Sequence, residues 1–329
     1  MDGSSIVLDV QGLHVDINTP GGILHAVRDV SFQVKRGETL CVVGESGCGK
    51  SMTSLAIMGL LPKMAQRRTR TLTFLGEDLG KASKKRINTL RGNKMAMIFQ
   101  EPMTALNPAY TIGDQLTEHY LYHRQSTMVQ ARDRAVELLE KVGIASAAQR
   151  LGQYPHQLSG GLRQRVMIAM ALMCGPELLI ADEPTTALDV TIQAQILRLL
   201  ADLQVELGIA MVLITHDLGV VARIAQNVAV MYAGEIVEGG PVREIFARPQ
   251  HPYTQGLISC IPVPGRTPPG GKLGTIRGVV PTLIGELSGC AFRERCPYAQ
   301  PICSETVPVY RSPLGQSWRC IKNDDGVPL

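Results

Sequence analysis

The chain has 329 residues, of which 45% are hydrophobic and 19% charged, with a formal net charge of +4, so it is neither disordered nor strongly basic. Its length predicts one large domain with a smaller appendage, and the absence of a concentrated Lys/Arg stripe with interleaved aromatics argues against nucleic-acid binding. The N-terminus lacks the pattern of a secretory signal, and no charge-free apolar run reaches the roughly 18 residues needed to cross a bilayer. We therefore expect a cytoplasmic protein.

The first part of the chain is rich in short predicted strands. Turn residues separate the segments IVLDV, LHVDI, VSFQV and TLCVVG, which begin at residues 6, 13, 30 and 39. The last of them runs into a Gly-rich loop and then into the helix-competent segment SMTSLAIMGLL, which we expect Pro62 to end.

Helices and strands alternate through the rest of the large domain. Helical periodicity marks residues 114–123 and 130–144, and predicted helices and strands alternate from residue 163 to residue 232. Strands separated by helices of this length predict an α/β fold with a mostly parallel sheet buried on both faces. From Gly265 onward Pro, Gly and Cys dominate, so a small, irregular C-terminal domain is expected to start near residues 250–265.

The segment GESGCGKS matches the pattern G-x-x-x-x-G-K-[ST] between a strand and a helix. Its glycines let backbone N–H groups surround a phosphate, Lys50 neutralises the outer phosphates, and Ser51 would ligate Mg²⁺. The alternative, a Gly-rich turn with a chance lysine, is disfavoured by the strand and helix on either side. The expected nucleotide-site residues here are Gly44, Glu45, Ser46, Gly47, Cys48, Gly49, Lys50, Ser51 and Met52.

The segment LLIADE, at residues 178–183, is an apolar strand that ends in carboxylates and supplies the second half of such a site. Asp182 lies where it would hold the metal through water, and Glu183, the next residue, would polarise an attacking water. The alternative for Glu183 is a solvated loop acid. Two successive carboxylates at a strand end favour the hydrolytic interpretation.

A second predicted helix begins with a serine and two glycines, Ser159, Gly160 and Gly161, within LSGGLRQR. Such a helix N-terminus is an anion site, yet one chain has only one phosphate loop, so another chain must bring a second nucleotide. At this point the sequence resembles the ATP-binding subunits of ABC transporters, in which this signature segment covers the ATP held by the partner's phosphate loop. The last residue of the usual LSGGQ motif is replaced by Leu162.

The resemblance extends over nearly the whole chain and implies further site residues. Gln100, in IFQEP, matches the glutamine that senses the γ-phosphate and Mg²⁺. Asp189, in TTALD, matches the aspartate that links two subunits, and His216, in LITHD, matches the switch histidine. The family usually stacks an aromatic residue on adenine, and Ile17 takes that position, so we expect weaker or less selective base recognition.

The resemblance implies a P-loop ATPase core of ABC type over residues 1–250. This core would contain a mixed or parallel sheet with helices, an antiparallel β subdomain, and a helical subdomain at about 101–175. Residues 251–329 resemble the C-terminal extension of the oligopeptide/dipeptide (and nickel) importer ATPases, through HPYTQGLISCIP, GVVPTL and the Cys-rich run. This implies a second, related ATPase subunit, two membrane permeases and an extracytoplasmic binding protein. The chain would be peripheral, at the cytoplasmic face of the inner membrane.

Other activities stay open at this stage. Paralogues with this extension also import nickel, glutathione and other small solutes, and the sequence does not separate them. A soluble ABC-type machine for DNA repair or translation is disfavoured, because the chain has one cassette and no extended heptad run. A regulatory module that senses iron or redox state through the extension is a third alternative.

Four of the eight cysteines, Cys290, Cys296, Cys303 and Cys320, lie near one end with the spacing C-x5-C-x6-C-x16-C. Stable disulfides are not expected in the cytoplasm, and the paired C-x2-4-C spacing typical of zinc sites is absent. Four cysteines on loose loops can ligate a [4Fe–4S] cluster, which would stabilise a small domain. The resemblance favours the cluster, while zinc and plain reduced thiols remain the alternatives.

Overall fold

The computed structural model describes residues 5–101, 105–186, 188–262, 274–285, 288–305 and 307–321. The strands are β1 (Ile6–Thr19), β2 (Gly22–Lys35), β3 (Thr39–Val43), β4 (Ala65–Arg68), β5 (Thr71–Phe74), β6 (Glu77–Asp78), β7 (Met95–Ile98), β8 (Leu178–Asp182), β9 (Ala210–Thr215), β10 (Asn227–Tyr232), β11 (Glu235–Pro241), β12 (Val309–Arg311) and β13 (Ser317–Arg319). The helices are α1 (Lys50–Met58), α2 (Lys84–Leu90), α3 (Ile112–His123), α4 (Met128–Lys141), α5 (Ala147–Arg150), α6 (Gly160–Leu172), α7 (Val190–Leu207), α8 (Leu218–Ile224), α9 (Val242–Ala247) and α10 (Pro252–Ser259). Parts of the predicted C-terminal domain, residues 263–273 and 322–329, lie outside the described residues.

The described residues form two compact units. The first unit contains those of Met1–Val7, Val34–Gly37 and Leu75–Ile214, and the second contains those of Leu8–Gln33, Glu38–Phe74 and Thr215–Leu329. In the part of the chain that is described, no helix is both long and apolar enough to cross a membrane.

In the first unit, β7, β8 and β9 form parallel pairs, with β8 in the middle. Every residue of β8 and β9 is buried, as expected for strands covered on both faces. The predicted parallel pairing is confirmed for these strands.

The helices α3 and α4 of the first unit each begin two residues before the predicted segment. Thr111 and Thr127 cap them, and each threonine hydroxyl accepts a hydrogen bond from the backbone N–H three residues later. In return, the side chain of Asp114 or Gln130 accepts a hydrogen bond from the backbone N–H of the capping threonine. Such capping boxes extend a helix beyond its first apolar residue. Helix α4 ends three residues early, and Gly143 beyond it adopts a left-handed conformation with φ of 78°.

The second unit combines parallel and antiparallel pairs. Strand β3 pairs in parallel with β10, which pairs antiparallel with β11, while β1 pairs antiparallel with β4 and β5. Near the C-terminus β13 joins β11, and β12 joins β13. The expectation of irregular structure is therefore wrong for β12 and β13, which are too short to show a period in the sequence.

Two predicted boundaries near the N-terminus are also wrong. The segments IVLDV and LHVDI, predicted as separate strands, form one continuous strand, β1. Gly12 lies between them in a left-handed conformation, and its N–H donates a hydrogen bond to Ser31 Oγ at 2.9 Å. Helix α1 ends at Met58, before Pro62, because Gly59 takes the left-handed conformation that closes a helix.

Candidate functional site

The phosphate loop lies between the fully buried strand β3 and helix α1, and its glycines fit where side chains cannot. A Cβ on Gly44 would lie 2.1 Å from the carbonyl oxygen of Met231, and one on Gly49 would lie 2.4 Å from that of Ala26. Gly49 occupies the N-cap position of α1 with φ of 103° and has no side chain to occupy the helix N-terminus. The first backbone N–H groups of α1 thus form the anion-binding end of the helix.

The ammonium group of Lys50 contacts the backbone of the phosphate loop, at whose end this residue stands. Its side chain is buried, and Nζ donates hydrogen bonds to the carbonyl oxygens of Gly44 at 2.9 Å and Glu45 at 3.0 Å. Burial raises the pKa of the neighbouring Cys48 thiol, against the opposing charge of Lys50, so this cysteine stays a neutral packing residue. Ser51 follows in the first turn of α1, as the motif requires.

The carboxylate pair lies at the end of β8. Asp182 is the last residue of the strand and only 4% exposed. Glu183 has a left-handed backbone with φ of 44°, and its N–H donates to the carbonyl oxygen of Ile214 at 3.0 Å. Left-handed conformations of residues other than glycine cost free energy and are frequent at active sites.

The Glu183 carboxylate is held by two donors within the same unit. The hydroxyl of Thr186 lies 3.1 Å from its Oε2, and the amide nitrogen of Gln100 lies 3.4 Å from the same atom. The structure thus brings together two of the predicted site residues, Gln100 and Glu183. Thr186 was not predicted, since a threonine in a turn gives no distinctive signal in the sequence.

The signature segment opens helix α6 as predicted. Ser159 is the exposed N-cap, and its Oγ accepts a hydrogen bond from the N–H of Leu162 at 3.4 Å. Gly160 is also exposed, whereas a Cβ on Gly161 would lie 3.0 Å from Ile192. Gly160 therefore leaves an open surface at this helix N-terminus, whereas Gly161 packs closely against α7.

The remaining predicted residues occupy strand and helix ends. Asp189 is exposed immediately before α7, and His216 is exposed just after β9. Ile17 is half-buried in β1, opposite Ala65 of β4. Ser46 and Gly47 are exposed at the tip of the phosphate loop, and Met52 is half-buried in α1.

The four C-terminal cysteines line a common cavity together with His251 and Phe292. None of the cysteines in the part of the chain that is described forms a disulfide. Burial and the neighbouring thiols raise the pKa of Cys290 to about 11. Among the residues that the structure describes, no group of three or more His, Cys, Asp or Glu side chains is arranged to hold a metal ion.

A glycine-rich loop that ends in a buried lysine at a helix N-terminus is the phosphate-binding element of P-loop nucleotide hydrolases. A carboxylate pair at a strand end is a second element of that class. Residues 27–186 match the family model "ABC transporter", and residues 237–303 match "Oligopeptide/dipeptide transporter, C-terminal region". The chain therefore belongs to the ABC transporter family, among the ATP-binding proteins that carry this C-terminal region.

Similar proteins match over most of their length. The dipeptide transport ATP-binding protein DppD of Bacillus subtilis is 51% identical over 303 residues, which cover 92% of this chain and 90% of that protein. The oligopeptide transport ATP-binding protein OppD of Salmonella typhimurium is 46% identical over 319 residues, 97% of this chain and 94% of that protein. The chain is thus an ATPase subunit of the ABC type.

Solved structures support the same fold. The dimeric ATP-binding cassette MJ0796 bound to ADP and Pi aligns with a TM-score of 0.64 and 26% identity, over 72% of this chain and 99% of that one. The protein cbiO1 of Clostridium perfringens, part of the ABC transporter complex cbiONQ, aligns with a TM-score of 0.63 and 28% identity, over 74% of this chain and 92% of that one. The predicted ABC ATPase fold is confirmed.

Proposed function

We propose that this chain hydrolyses ATP to drive the import of dipeptides or oligopeptides through an ABC transporter. The observation that carries this proposal is the identity of about half of the residues to dipeptide and oligopeptide transport ATP-binding proteins, over nine-tenths or more of both lengths. Nickel and glutathione importers are the competing assignments.

Within this function we assign the phosphates of ATP to the loop at residues 44–51. The charge of Lys50 offsets that of the outer phosphates, and the N–H groups at the start of α1 bind phosphate oxygens. Ser51 and Asp182 carry the hydroxyl and carboxylate oxygens that Mg²⁺ prefers, with Gln100 as the further ligand at the γ-phosphate. Mg²⁺ would neutralise charge that develops on the phosphates.

Glu183 is our candidate for the group that polarises the attacking water. Its carboxylate accepts hydrogen bonds from Thr186 and Gln100, so its oxygens have a fixed direction. We assign His216 to the γ-phosphate and to the orientation of the same water. These assignments rest on the matching motifs.

We also propose that two ATP molecules are enclosed between this chain and a related ATPase subunit. Ser159, Gly160 and Gly161 would cover the ATP of the partner, and Asp189 would link the two subunits. The exposure of Ser159 and Gly160 supports this role, since these groups are accessible to another chain. Two permeases and an extracytoplasmic binding protein would complete the transporter, with this subunit at the cytoplasmic face of the inner membrane.

The transport function is tested by reconstituting the chain with the permeases, the second ATPase subunit and the binding protein of its transporter. We expect dipeptide- or oligopeptide-loaded binding protein to stimulate ATP hydrolysis and peptide uptake. Stimulation by nickel or glutathione alone would reassign the substrate. ATP hydrolysis that never responds to any loaded binding protein would contradict the importer function.

For the C-terminal cysteines we propose a [4Fe–4S] cluster with a structural role. The four side chains line one cavity, and four cysteines are the number of ligands that such a cluster takes. No single-ion site is arranged there in the described residues, but a four-iron cluster holds its ligand sulfurs farther apart than one ion does. The cluster would supply a covalent link between the loops that carry the four cysteines.

Anaerobic purification tests the cluster. We expect broad visible absorbance and bound iron, both lost in Cys296→Ser and retained in Cys260→Ser. Cys260 is the matched control, because it follows helix α10 in the same region and does not line the cavity. Stoichiometric zinc without visible absorbance would favour the zinc alternative, and a metal-free protein would favour plain thiols.

A further inference from the structure

The phosphate-loop residue Glu45 is held by the C-terminal region at two of its groups. Its carboxylate accepts two parallel hydrogen bonds from the Arg295 guanidinium, at 3.0 Å from Nη1 to Oε1 and 3.1 Å from Nη2 to Oε2. Its backbone N–H donates to the hydroxyl of Tyr253 at 2.9 Å. All of these residues belong to the second unit, and 250 positions separate Glu45 from Arg295.

The third polar group of Glu45 bonds to the phosphate-binding lysine. Its carbonyl oxygen accepts a hydrogen bond from Lys50 Nζ at 3.0 Å. The position of Glu45 therefore determines where one acceptor for the Lys50 ammonium lies. A displacement of the Glu45 backbone would shift that acceptor and the curve of the loop together.

Arg295 is itself rigidly held. Only 6% of its side chain is exposed, and Nε donates to the carbonyl oxygen of Arg277 at 2.7 Å. Its guanidinium lies over the rings of Tyr232 and Phe292, at 5.7 and 5.8 Å from their centroids. A bidentate, stacked arginine fixes the direction of its carboxylate partner far better than a flexible surface ion pair.

An aromatic cluster connects this arginine with the cysteine cavity. The rings of Tyr232, Tyr253 and Phe292 lie within 4.7 to 5.4 Å of one another, centroid to centroid. Phe292 also lines the cavity formed by the four cysteines, and Arg295 directly precedes Cys296. The contact with Glu45 is thus built on the same loop that carries the cysteines.

We infer that Arg295, supported by Tyr253, is a positioning residue of the ATP site: it orients Glu45 and so holds the phosphate loop and Lys50 in the conformation that binds nucleotide. The C-terminal region then does more than extend the cassette, because it contributes to ATP affinity. The inference rests on the proposed assignment of the loop to the phosphates of ATP, and it is independent of the transported solute.

The chain offers a matched control in Arg319. This arginine also directly precedes a C-terminal cysteine, Cys320, and also pairs with carboxylates of the second unit, at 3.6 Å to Asp29 and 3.2 Å to Glu235. Neither of those carboxylates belongs to the phosphate loop. A purely structural role of such arginines would make Arg295→Gln and Arg319→Gln behave alike.

The test measures ATP hydrolysis and nucleotide binding in the assembled transporter. We expect Arg295→Gln to raise the KM and Kd for ATP about three- to tenfold with a much smaller change in kcat, since the loss of one charge-assisted contact acts through loop position. Arg319→Gln should leave both constants unchanged. Glu45→Gln should raise KM like Arg295→Gln, and the double variant should add little, as expected for two members of one interaction.

Glu45→Gln and Lys50→Ala distinguish a failure of this inference from a failure of the proposed ATP site. If Arg295→Gln lowers the yield of folded complex, Glu45→Gln carries the test, because it leaves the internal contacts of the C-terminal region intact. Unchanged KM and Kd in Glu45→Gln, together with weakened binding in Lys50→Ala, would overturn the inference. Normal ATP binding in Lys50→Ala would instead contradict the assignment of the loop to ATP.

Discussion

The amide nitrogen of Gln100 lies 3.4 Å from Oε2 of Glu183, so a residue two positions beyond the end of β7 contacts the carboxylate that follows β8. These strands are parallel neighbours, and their carboxyl ends meet at one edge of the sheet. Thr186 adds a second donor to the same oxygen at 3.1 Å. Both donors favour one orientation of the carboxylate, which is what a group that polarises water requires.

Replacing Glu183 by glutamine is expected to lower the ATPase rate of the assembled transporter by about 100-fold or more, the range for loss of a general base. The amide keeps the size of the side chain but cannot accept a proton from water. ATP should still bind, so the variant should retain unhydrolysed ATP. Steady-state hydrolysis and the nucleotide content of the isolated complex measure the two effects.

Glu177→Gln provides the control, because Glu177 lies directly before the same strand, at its opposite end. It pairs with Arg36 at 2.6 Å and Lys94 at 3.1 Å. Its loss should lower the free energy of unfolding by about 1 kcal/mol, as for ion pairs near the protein surface, and leave hydrolysis unchanged. Ordinary turnover in Glu183→Gln would remove Glu183 from the mechanism.

Alanine substitutions at two glycines of the phosphate loop distinguish backbone strain from steric clash. Both Gly47 and Gly49 have positive φ, but a Cβ on Gly47 meets no atom within 4 Å, whereas one on Gly49 would lie 2.4 Å from the carbonyl oxygen of Ala26. Gly47→Ala should cost about 1 to 2 kcal/mol of unfolding free energy from backbone strain alone. Gly49→Ala should cost about 2 to 4 kcal/mol, since strain and overpacking combine.

Chemical unfolding measures these costs, and ATP titration should show a larger loss of affinity for Gly49→Ala. Gly47→Ala serves as the internal control, since it has the same substitution and the same sign of φ in the same loop. Equal effects of the two alanines on stability and on ATP affinity would show that the contact with Ala26 does not constrain the loop.

The site residues that the sequence predicts belong to short motifs, in which each functional residue stands at a fixed distance from its neighbours. The loop before Lys50 and the strand end at Asp182 are short patterns with fixed positions, so strand, loop and helix follow from the sequence. Arg295 and Tyr253 could not be predicted in this way. Their contacts with Glu45 join positions more than 200 residues apart, and neither residue differs in type from an ordinary surface or core residue.

The sequence also does not predict some local backbone conformations and short strands. The left-handed backbone of Glu183 has no signature, because glycine or asparagine would normally mark such a position. The strand β13 buries Trp318 opposite Glu238 of β11, and three residues cannot display the alternation that identifies longer strands. Tertiary packing determined these features, so the sequence pattern alone did not reveal them.

Base recognition gives a prediction about gain of affinity. Ile17 lies half-buried in β1, and we propose that it takes the position where the family usually has an aromatic residue. Ile17→Tyr should tighten ATP binding by about two- to tenfold, corresponding to the free energy of aromatic stacking. Binding of ATP and GTP by fluorescence titration measures the effect.

Ile17→Leu, which conserves volume and adds no ring, is the control and should leave the affinity for ATP unchanged. If the tyrosine also leaves it unchanged while the protein remains folded, Ile17 does not contact the base.

Ser159 combines two roles that different substitutions separate. Its hydroxyl caps α6 by accepting the N–H of Leu162, and we propose that the same exposed serine meets the γ-phosphate of the partner's ATP. Ser159→Ala loses the cap and should lower the free energy of unfolding by about 1 kcal/mol. Ser159→Asp keeps a good cap, so its stability should stay near that of the unsubstituted protein. The aspartate, however, presents a negative charge to the phosphate and should abolish ATP-dependent association with the partner subunit.

Chemical denaturation and size-exclusion chromatography with ATP, in the Glu183→Gln background that retains nucleotide, measure the two properties separately. If Ser159 only caps the helix and does not contact phosphate, the two variants should rank in the opposite order in association with the partner subunit. The alanine variant would then associate less well, in proportion to its lost stability, and the aspartate variant would associate normally. The aspartate therefore decides between the roles, because like charges at a helix N-terminus repel phosphate whether or not the helix is well formed.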